Sequence, residues 1–386
     1  MFFSLFPSNK NIEIQSIAYS LNLFLPTFIL IVSSFFKNYN LTAELGILIG
    51  INIIFTQIFS ANARSIIIAQ KLFQSIYSYI FFRITISITI IIVNIFFFYI
   101  LEFYNNLILF QISIMIILQW LIELLLTSSE LRKDINQFYH YIIFSIIFII
   151  SILVDFIFFK NLNYIIFIYN LALIFFFLTS FLKLKKSKIN LKHVFLLCIN
   201  SKAFYSSFSI SFANLIWRLF IIYFCGKVLA GIYFASFAIG SLPGTLFNNT
   251  FGPTIVKNNI KFKKNVKFFL YLFTLLLAIL FTLSLLNKDK IFVELSHTQI
   301  FGTFISLLGS ILMIQGLYFR QYLIQKTSHE SRVFKVDVVY SLCIILIVPL
   351  LYLFGGEKLV IISFLISSII SYITYKFIKN KIDEHQ

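Results

Sequence analysis

Residues 162–193 read LNYIIFIYNLALIFFFLTSFLKLKKSKINLKH: an apolar run over 164–182, then five lysines and a histidine with no acidic residue among them. The run has the length of about 20 helical residues that a bilayer core of about 30 Å requires. Lysines directly behind it do not follow it into hydrocarbon, so they hold that end of the helix in water, on the side where basic loops are retained. The run is continuously apolar and long, whereas a barrel strand has about 10 residues of alternating character, so the spanning element is a helix.

Working outward, the same pattern recurs. Earlier spans are expected near 15–36, 41–61, 76–101, 107–127 and 141–159, and later ones near 203–225, 230–250, 268–287, 299–319, 336–354 and 359–377. Composition agrees: of 386 residues, 60% are apolar and 12% charged, with a mean hydropathy of +0.96, far outside the range of soluble domains. The expectation is an all-α polytopic membrane protein of about 12 transmembrane helices. No cleavable signal is expected, because the first apolar run is long enough to stay in the bilayer.

Charge orients the chain. With a cytoplasmic N-terminus, most of the 31 Lys and Arg fall on the cytoplasmic side, and the opposite side receives only Lys37, Lys160, Lys227, Lys288, Lys290 and Lys358. A one-span error would scramble this segregation, so both termini are expected in the cytoplasm. The net charge of +17 is then explained by topology and by attraction to anionic membrane lipids, and nucleic acid is not needed as a partner.

The basic connection divides the chain nearly in half. Residues 1–182 are expected to form an N-terminal six-helix lobe, 183–202 a basic cytoplasmic linker and 203–386 a C-terminal six-helix lobe. Spans two and eight each end in an Asn-containing turn and a short amphipathic tail, TQIFSANARSIIIAQK at 56–71 and GTLFNNTFGPTIVKNN at 244–259. This internal likeness fits two similarly oriented halves, an arrangement common in secondary transporters.

Outward connections are short, the longest lying around KDKIFVELSH at 288–297, too little to build a folded catalytic loop. Neither H-E-x-x-H, Walker A, G-x-S-x-G nor a paired-carboxylate motif occurs, so neither an enzyme nor a built-in ATP motor is expected. The five histidines have no ligand spacing, and Cys198, Cys225 and Cys343 lie far apart without C-x-x-C spacing; no metal or other cofactor is expected.

The informative residues are polar ones inside apolar runs, where a charge costs about 2.5 to 3.5 kcal/mol and tends to face a cavity or a partner. Arg218, in ISFANLIWRLFIIYFC, lies near the middle of span seven, with Asn214 one helical turn before it and Ser211 two turns before it on the same face. This stripe reads either as a binding surface or as a staple in which Arg218 pairs with a carboxylate of its own lobe. Arg83 stands about two turns into span three, where snorkelling to the cytoplasmic surface is the preferred reading. Arg64, following span two, is either a positive-inside anchor or a catcher of anionic head groups. Glu44, Glu123 and Asp155 are candidates for proton or ion coupling, since burial raises a carboxyl pKa, with structural pairing the alternative. Pro26, Pro243 with Gly244, and Pro349 interrupt helices; Pro26, Pro243 and Gly244 are the candidate gating positions, against a static kink.

Two segments resemble a known family. ANARSIIIAQK at 61–71 and WRLFIIYFCGKVLAGIYFASFAIGSLPGTLFNNTFGPTIVK at 217–257 are similar to bacterial polysaccharide-export flippases of the Wzx type, within the multidrug and oligosaccharidyl-lipid exporter superfamily. In that family a polar or charged residue of span seven precedes an apolar run, a short turn, an A-G-x-Y-x-x-A stretch and a Pro-containing span eight. The matching residues here are Arg218, the run to Cys225, Gly226 with Lys227, Ala230-Gly231-Ile232-Tyr233 with Ala235, and Pro243. The resemblance implies a fold like that of the multidrug exporters and a place in the bacterial inner membrane. It also implies a polyprenyl-diphosphate-linked oligosaccharide as substrate, turned from the cytoplasmic to the outer leaflet by alternating access, with glycan polymerase and glycosyltransferases as partners. Arg218, Asn214, Ser211, Arg83 and Arg64 would then line the substrate path. A small-solute or drug antiporter of the same superfamily and a membrane glycan polymerase are the alternatives.

Overall fold

The computed structural model describes residues 10–60, 63, 64, 67, 73–103, 105–159, 162–184, 189–199, 202–246, 297–325 and 330–383. The expected ninth span, the 288–297 loop except His297, and the basic stretch 257–267 lie outside these residues.

Among the described residues the chain is all-helical, and nine segments are long and apolar enough to cross a membrane. The helices are α1 (Lys10–Phe35), α2 (Tyr39–Ser60), α3 (Phe73–Ile100), α4 (Asn106–Arg132), α5 (Ile135–Val154), α6 (Leu162–Leu182), α7 (Leu191–Ile199), α8 (Lys202–Leu246), α9 (His297–Gln325), α10 (Glu330–Val360) and α11 (Ser363–Asp383). A π-helical turn, Asp155–Phe159, extends α5. Each expected span other than the ninth falls on one of these helices.

Local chemistry explains several boundaries. Lys133 closes α4 in the left-handed conformation, and the Asp134 carboxylate accepts from the Asn136 N–H at 3.2 Å to cap α5. The expected junction between spans seven and eight is a break within α8 at Gly226, where φ is +75°. A residue with a Cβ would be strained there. α8 runs on through Pro243, and α1 through Pro26; α10 leaves helical geometry at Gly355 and Gly356, beyond Pro349.

The chain divides into two compact units, one of residues 1–29 and 51–207, the other of residues 30–50 and 208–386. In the first, α4 is the central helix, packed by α3, α5 and α6, and it buries Ile112, Met115, Ile122 and Leu124. α5 and α6 instead present Ile143, Ile147, Ile150, Phe167, Ile168 and Phe175 outward. Outward apolar faces of this extent suit contact with lipid. In the second unit α9 lies along α11, and small residues bring helices close: a Cβ at Gly309 would stand 3.1 Å from the Leu365 Cα, and one at Gly316 2.7 Å from the Ser371 Oγ.

Candidate functional site

In the first unit, one face of α4 gathers the charges. Trp120, Glu123, Thr127 and Glu130 are spaced three, four and three residues apart, which stacks them along a single helix face. Arg83 of α3 reaches this face with its side chain fully buried: its Nη1 pairs with Glu123 Oε2 at 2.9 Å and donates to the Trp120 main-chain oxygen, while Nη2 donates to Ser60 Oγ at 3.2 Å. Trp120 Nε1 donates to the same Ser60 Oγ at 2.7 Å, and its ring lies 4.7 Å from the guanidinium.

This corrects the snorkelling reading of Arg83. A guanidinium that finds a carboxylate and two further acceptors inside the protein gains more there than by stretching its stem to the surface. The same pairing occupies Glu123, one of the three carboxylates considered for coupling.

Two turns beyond Glu123, Arg64 pairs with Glu130 Oε2 at 3.1 Å and stacks on the Tyr19 ring at 3.6 Å, while the Tyr19 hydroxyl donates to the same Glu130 oxygen at 3.1 Å. Burial in itself disfavours the Arg64 cation, but the Tyr19 oxygen and the Glu130 carboxylate outweigh it and hold its pKa above the ordinary arginine value. Glu130 and Tyr19 were not singled out in the sequence, although a carboxylate seven residues after Glu123 on the same helix face was the signal available.

Neutral polar groups also pair inside this unit. Asn22 donates to the Gln119 main-chain oxygen at 3.1 Å and accepts from the Tyr141 hydroxyl; Asn94 donates to Asn52 Oδ1 at 3.2 Å. Asp155 is buried in the π-helical turn, and Pro26 is buried within α1.

In the second unit the three residues of the expected stripe lie on α8. Ser211 is buried, Asn214 and Arg218 are partly buried, and Asn214 has no hydrogen-bond partner among the described residues. Arg218 Nη1 donates to the main-chain oxygen of Gly46 in α2, and its guanidinium lies 5.9 Å from the Phe234 ring. Its stem lies along Gly50, where an added Cβ would stand 3.4 Å from Arg218 Cδ and 3.2 Å from Leu215 Cδ1. No carboxylate pairs with Arg218 among the described residues. The staple reading anticipated such a carboxylate, and its place is taken by a peptide oxygen.

A carboxylate staple does occur in this unit, on other residues. Arg320 grips Asp337 with Nη2 at 3.0 Å and Nε at 3.2 Å, and Tyr375 donates its hydroxyl to the same fully buried carboxylate. Glu44 is fully buried in α2, and Gly244 packs against Met313 and Leu317 of α9. No cluster of metal-ligating side chains occurs among the described residues, and Cys225 and Cys343 are free thiols.

No family model matches the chain, and no curated protein does. Solved structures do match over nearly its whole length. The fold is that of the MATE transporters. A crystal structure of MATE in complex with MaL6 is 13% identical, with a TM-score of 0.58 over 97% of this chain and 97% of that one. An outward-facing multidrug resistance MATE family transporter of the MOP superfamily is 12% identical, with a TM-score of 0.55 over 96% and 95%. A MOP superfamily transporter from Pyrococcus furiosus, whose binding pocket is described as of reverse polarity, is 12% identical, with a TM-score of 0.51 over 96% and 95%. The MATE-like all-helical fold is therefore established for this chain.

Proposed function

We propose that this chain is a membrane transporter that moves a polyprenyl-diphosphate-linked oligosaccharide from the cytoplasmic to the outer leaflet of a bacterial inner membrane. Its proposed organisation is two six-helix lobes working by alternating access, with both termini cytoplasmic. The observation that carries this reading is the contrast among the arginines that are not exposed: among the described residues Arg64, Arg83 and Arg320 are each neutralised by a carboxylate, whereas Arg218 has a peptide oxygen as its hydrogen-bond acceptor and no carboxylate. A guanidinium has five N–H donors, so most of those on Arg218 are uncommitted among the described residues and suit an anionic ligand, and the Asn214 amide one turn away adds hydrogen-bonding capacity. A sugar head group does not cross hydrocarbon unaided, and its diphosphate requires a cationic contact of this kind. Arg218 is thus the proposed head-group contact, with Asn214 and Ser211 extending its face; Pro243, Gly244 and Pro26 remain the proposed gating positions. Glycan polymerase and glycosyltransferases are the proposed functional partners.

Deleting the gene tests this reading: the surface glycan is lost and the lipid-linked precursor accumulates on the cytoplasmic leaflet. Precursor that still reaches the outer leaflet, only shorter in glycan, would favour a polymerase. The drug-antiporter reading is favoured by the multidrug description of one structural neighbour. It predicts increased sensitivity to cationic drugs on deletion with the surface glycan unchanged.

A further inference from the structure

A neutral polar cluster lies inside the first unit, away from its arginine–carboxylate pairs. Four helices supply it: Asn22 comes from α1, Gln119 from α4, Tyr141 and Ser145 from α5, and Tyr169 from α6, each 5% exposed or less. Tyr141 and Ser145 are four residues apart and so share one face of α5. The Tyr141 and Tyr169 hydroxyls each lie beside the side chains of Ser145 and Gln119. Ring packing holds both tyrosines in place: Tyr169 stacks on Phe148 with centroids 3.7 Å apart, and the Tyr141 ring is 5.6 Å from that of Phe176.

Hydrogen bonding is complete on one side of this cluster and open on the other. Asn22 Nδ2 donates to the Gln119 main-chain oxygen at 3.1 Å, and Asn22 Oδ1 accepts from the Tyr141 hydroxyl. The side-chain carbonyl of Asn22 is thereby taken. Gln119 Nε2, Ser145 Oγ and the Tyr169 hydroxyl, all buried, meet no partner in hydrogen-bond geometry among the described residues. Buried polar groups are nearly always paired, so three that are left over in one cluster call for a ligand.

We infer that Gln119, Ser145 and Tyr169 form a binding site for a small monovalent anion of halide size, held inside the first unit by one amide and two hydroxyl donors. The sign of the ligand follows from the groups left over. Each of the three carries a hydrogen, and an amide nitrogen donates without accepting. The cluster also has no carboxylate to balance a cation. Glu123, one turn beyond Gln119, is paired with Arg83, and Asp155 is ten residues beyond Ser145, about 15 Å along the helix. A cation buried here would face donors without a counter-charge, whereas an anion would gain charge-assisted hydrogen bonds. A water molecule accepts from two donors; a halide accepts from all three. The inference is independent of what the protein transports.

The test uses the purified full chain in chloride-free detergent solution, carrying Arg218→Ala so that this guanidinium cannot supply the signal. Sodium chloride is titrated in a calorimeter, and sodium gluconate at the same ionic strength controls for sodium. Expected is one saturable site per chain with chloride and none with gluconate. Tyr169→Phe and Ser145→Ala, each on this parent, should weaken chloride binding about tenfold or more, the scale of one hydrogen bond to a charged group. Both substitutions remove only a hydroxyl, and gel filtration shows whether each variant elutes as the parent does. Saturable heat with gluconate as well as chloride would assign the ligand to sodium and overturn the inference. Chloride binding that survives either substitution undiminished, in a chain eluting like the parent, would overturn it, as would the absence of saturable chloride binding by the parent.

Discussion

Arg218 donates to the main-chain oxygen of Gly46, and this bond ties α8 to α2 across the notch that Gly46 and Gly50 leave in the α2 surface. A peptide oxygen gives the guanidinium direction without cancelling its charge. Carboxylates do both in the Arg83–Glu123 and Arg320–Asp337 pairs. The structure thus contains arginines held in two different ways, and the predictions below separate them.

Arg218→Ala is expected to abolish transport with near-normal amounts of protein in the membrane, and Arg218→Lys to restore it only in part, because lysine supplies a point charge where arginine offers a fork of donors. Surface glycan and membrane-fraction immunoblots from the same cells read both quantities. A sharp fall in folded Arg218→Ala protein would assign the residue to structure instead.

Gly50→Ala is expected to act through Arg218. The added methyl would stand 3.2 Å from Leu215 Cδ1, close enough that this side chain, which neighbours Arg218 on α8, must give by a few tenths of an ångström, and it would fill the space along the Arg218 stem at 3.4 Å. Transport should fall severalfold while the protein accumulates normally; unaltered transport would mean that the position of Arg218 along α2 is unimportant.

Glu123→Ala leaves the fully buried Arg83 cation without its carboxylate. The expected loss of stability is on the order of 3 kcal/mol, the lower end for a broken buried pair because Glu123 itself is 26% exposed. Denaturant unfolding in detergent measures it. The double variant Arg83→Ala, Glu123→Ala should be more stable than the sum of the single losses, by about 1 kcal/mol or more.

Tyr375→Phe removes one of the donors to the buried Asp337 carboxylate and is expected to cost about 1.5 to 3 kcal/mol, as for a hydrogen bond to a charged group. Asp337→Asn, which also forfeits the ion pair with Arg320, should cost more. Equal stabilities for the two variants would show that Arg320 gains little from the aspartate.

A cysteine placed at Lys186, with the native cysteines removed, is expected to resist an impermeant thiol reagent in intact cells and to react in inverted vesicles. The reverse pattern would invert the topology.

The helices were legible in the sequence because hydrocarbon imposes one requirement on every span, a sustained apolar run, and Gly226 with Lys227 marked the turn between spans seven and eight. Arg218 stood out through its depth alone. Which arginines would be neutralised was not legible. Glu123 and Arg83 are 40 residues apart on different helices, and apolar runs do not specify the rotations that bring them together. Arg320 shows the same limit. At the polar end of a span it reads as a loop residue, yet it lies within α9 and grips Asp337, 17 residues on.

Reconstitution measures the central claim directly. Vesicles containing the purified chain and a fluorescent polyprenyl-diphosphate oligosaccharide are exposed to an impermeant quencher, and the fraction of lipid reaching the outer leaflet is followed in time. The account predicts rapid redistribution with the wild-type chain, little above the protein-free rate with Arg218→Ala, and an intermediate rate with Arg218→Lys. Redistribution by Arg218→Ala at the wild-type rate would contradict the role of Arg218, and no redistribution by an intact wild-type chain would contradict the transport of this class of lipid.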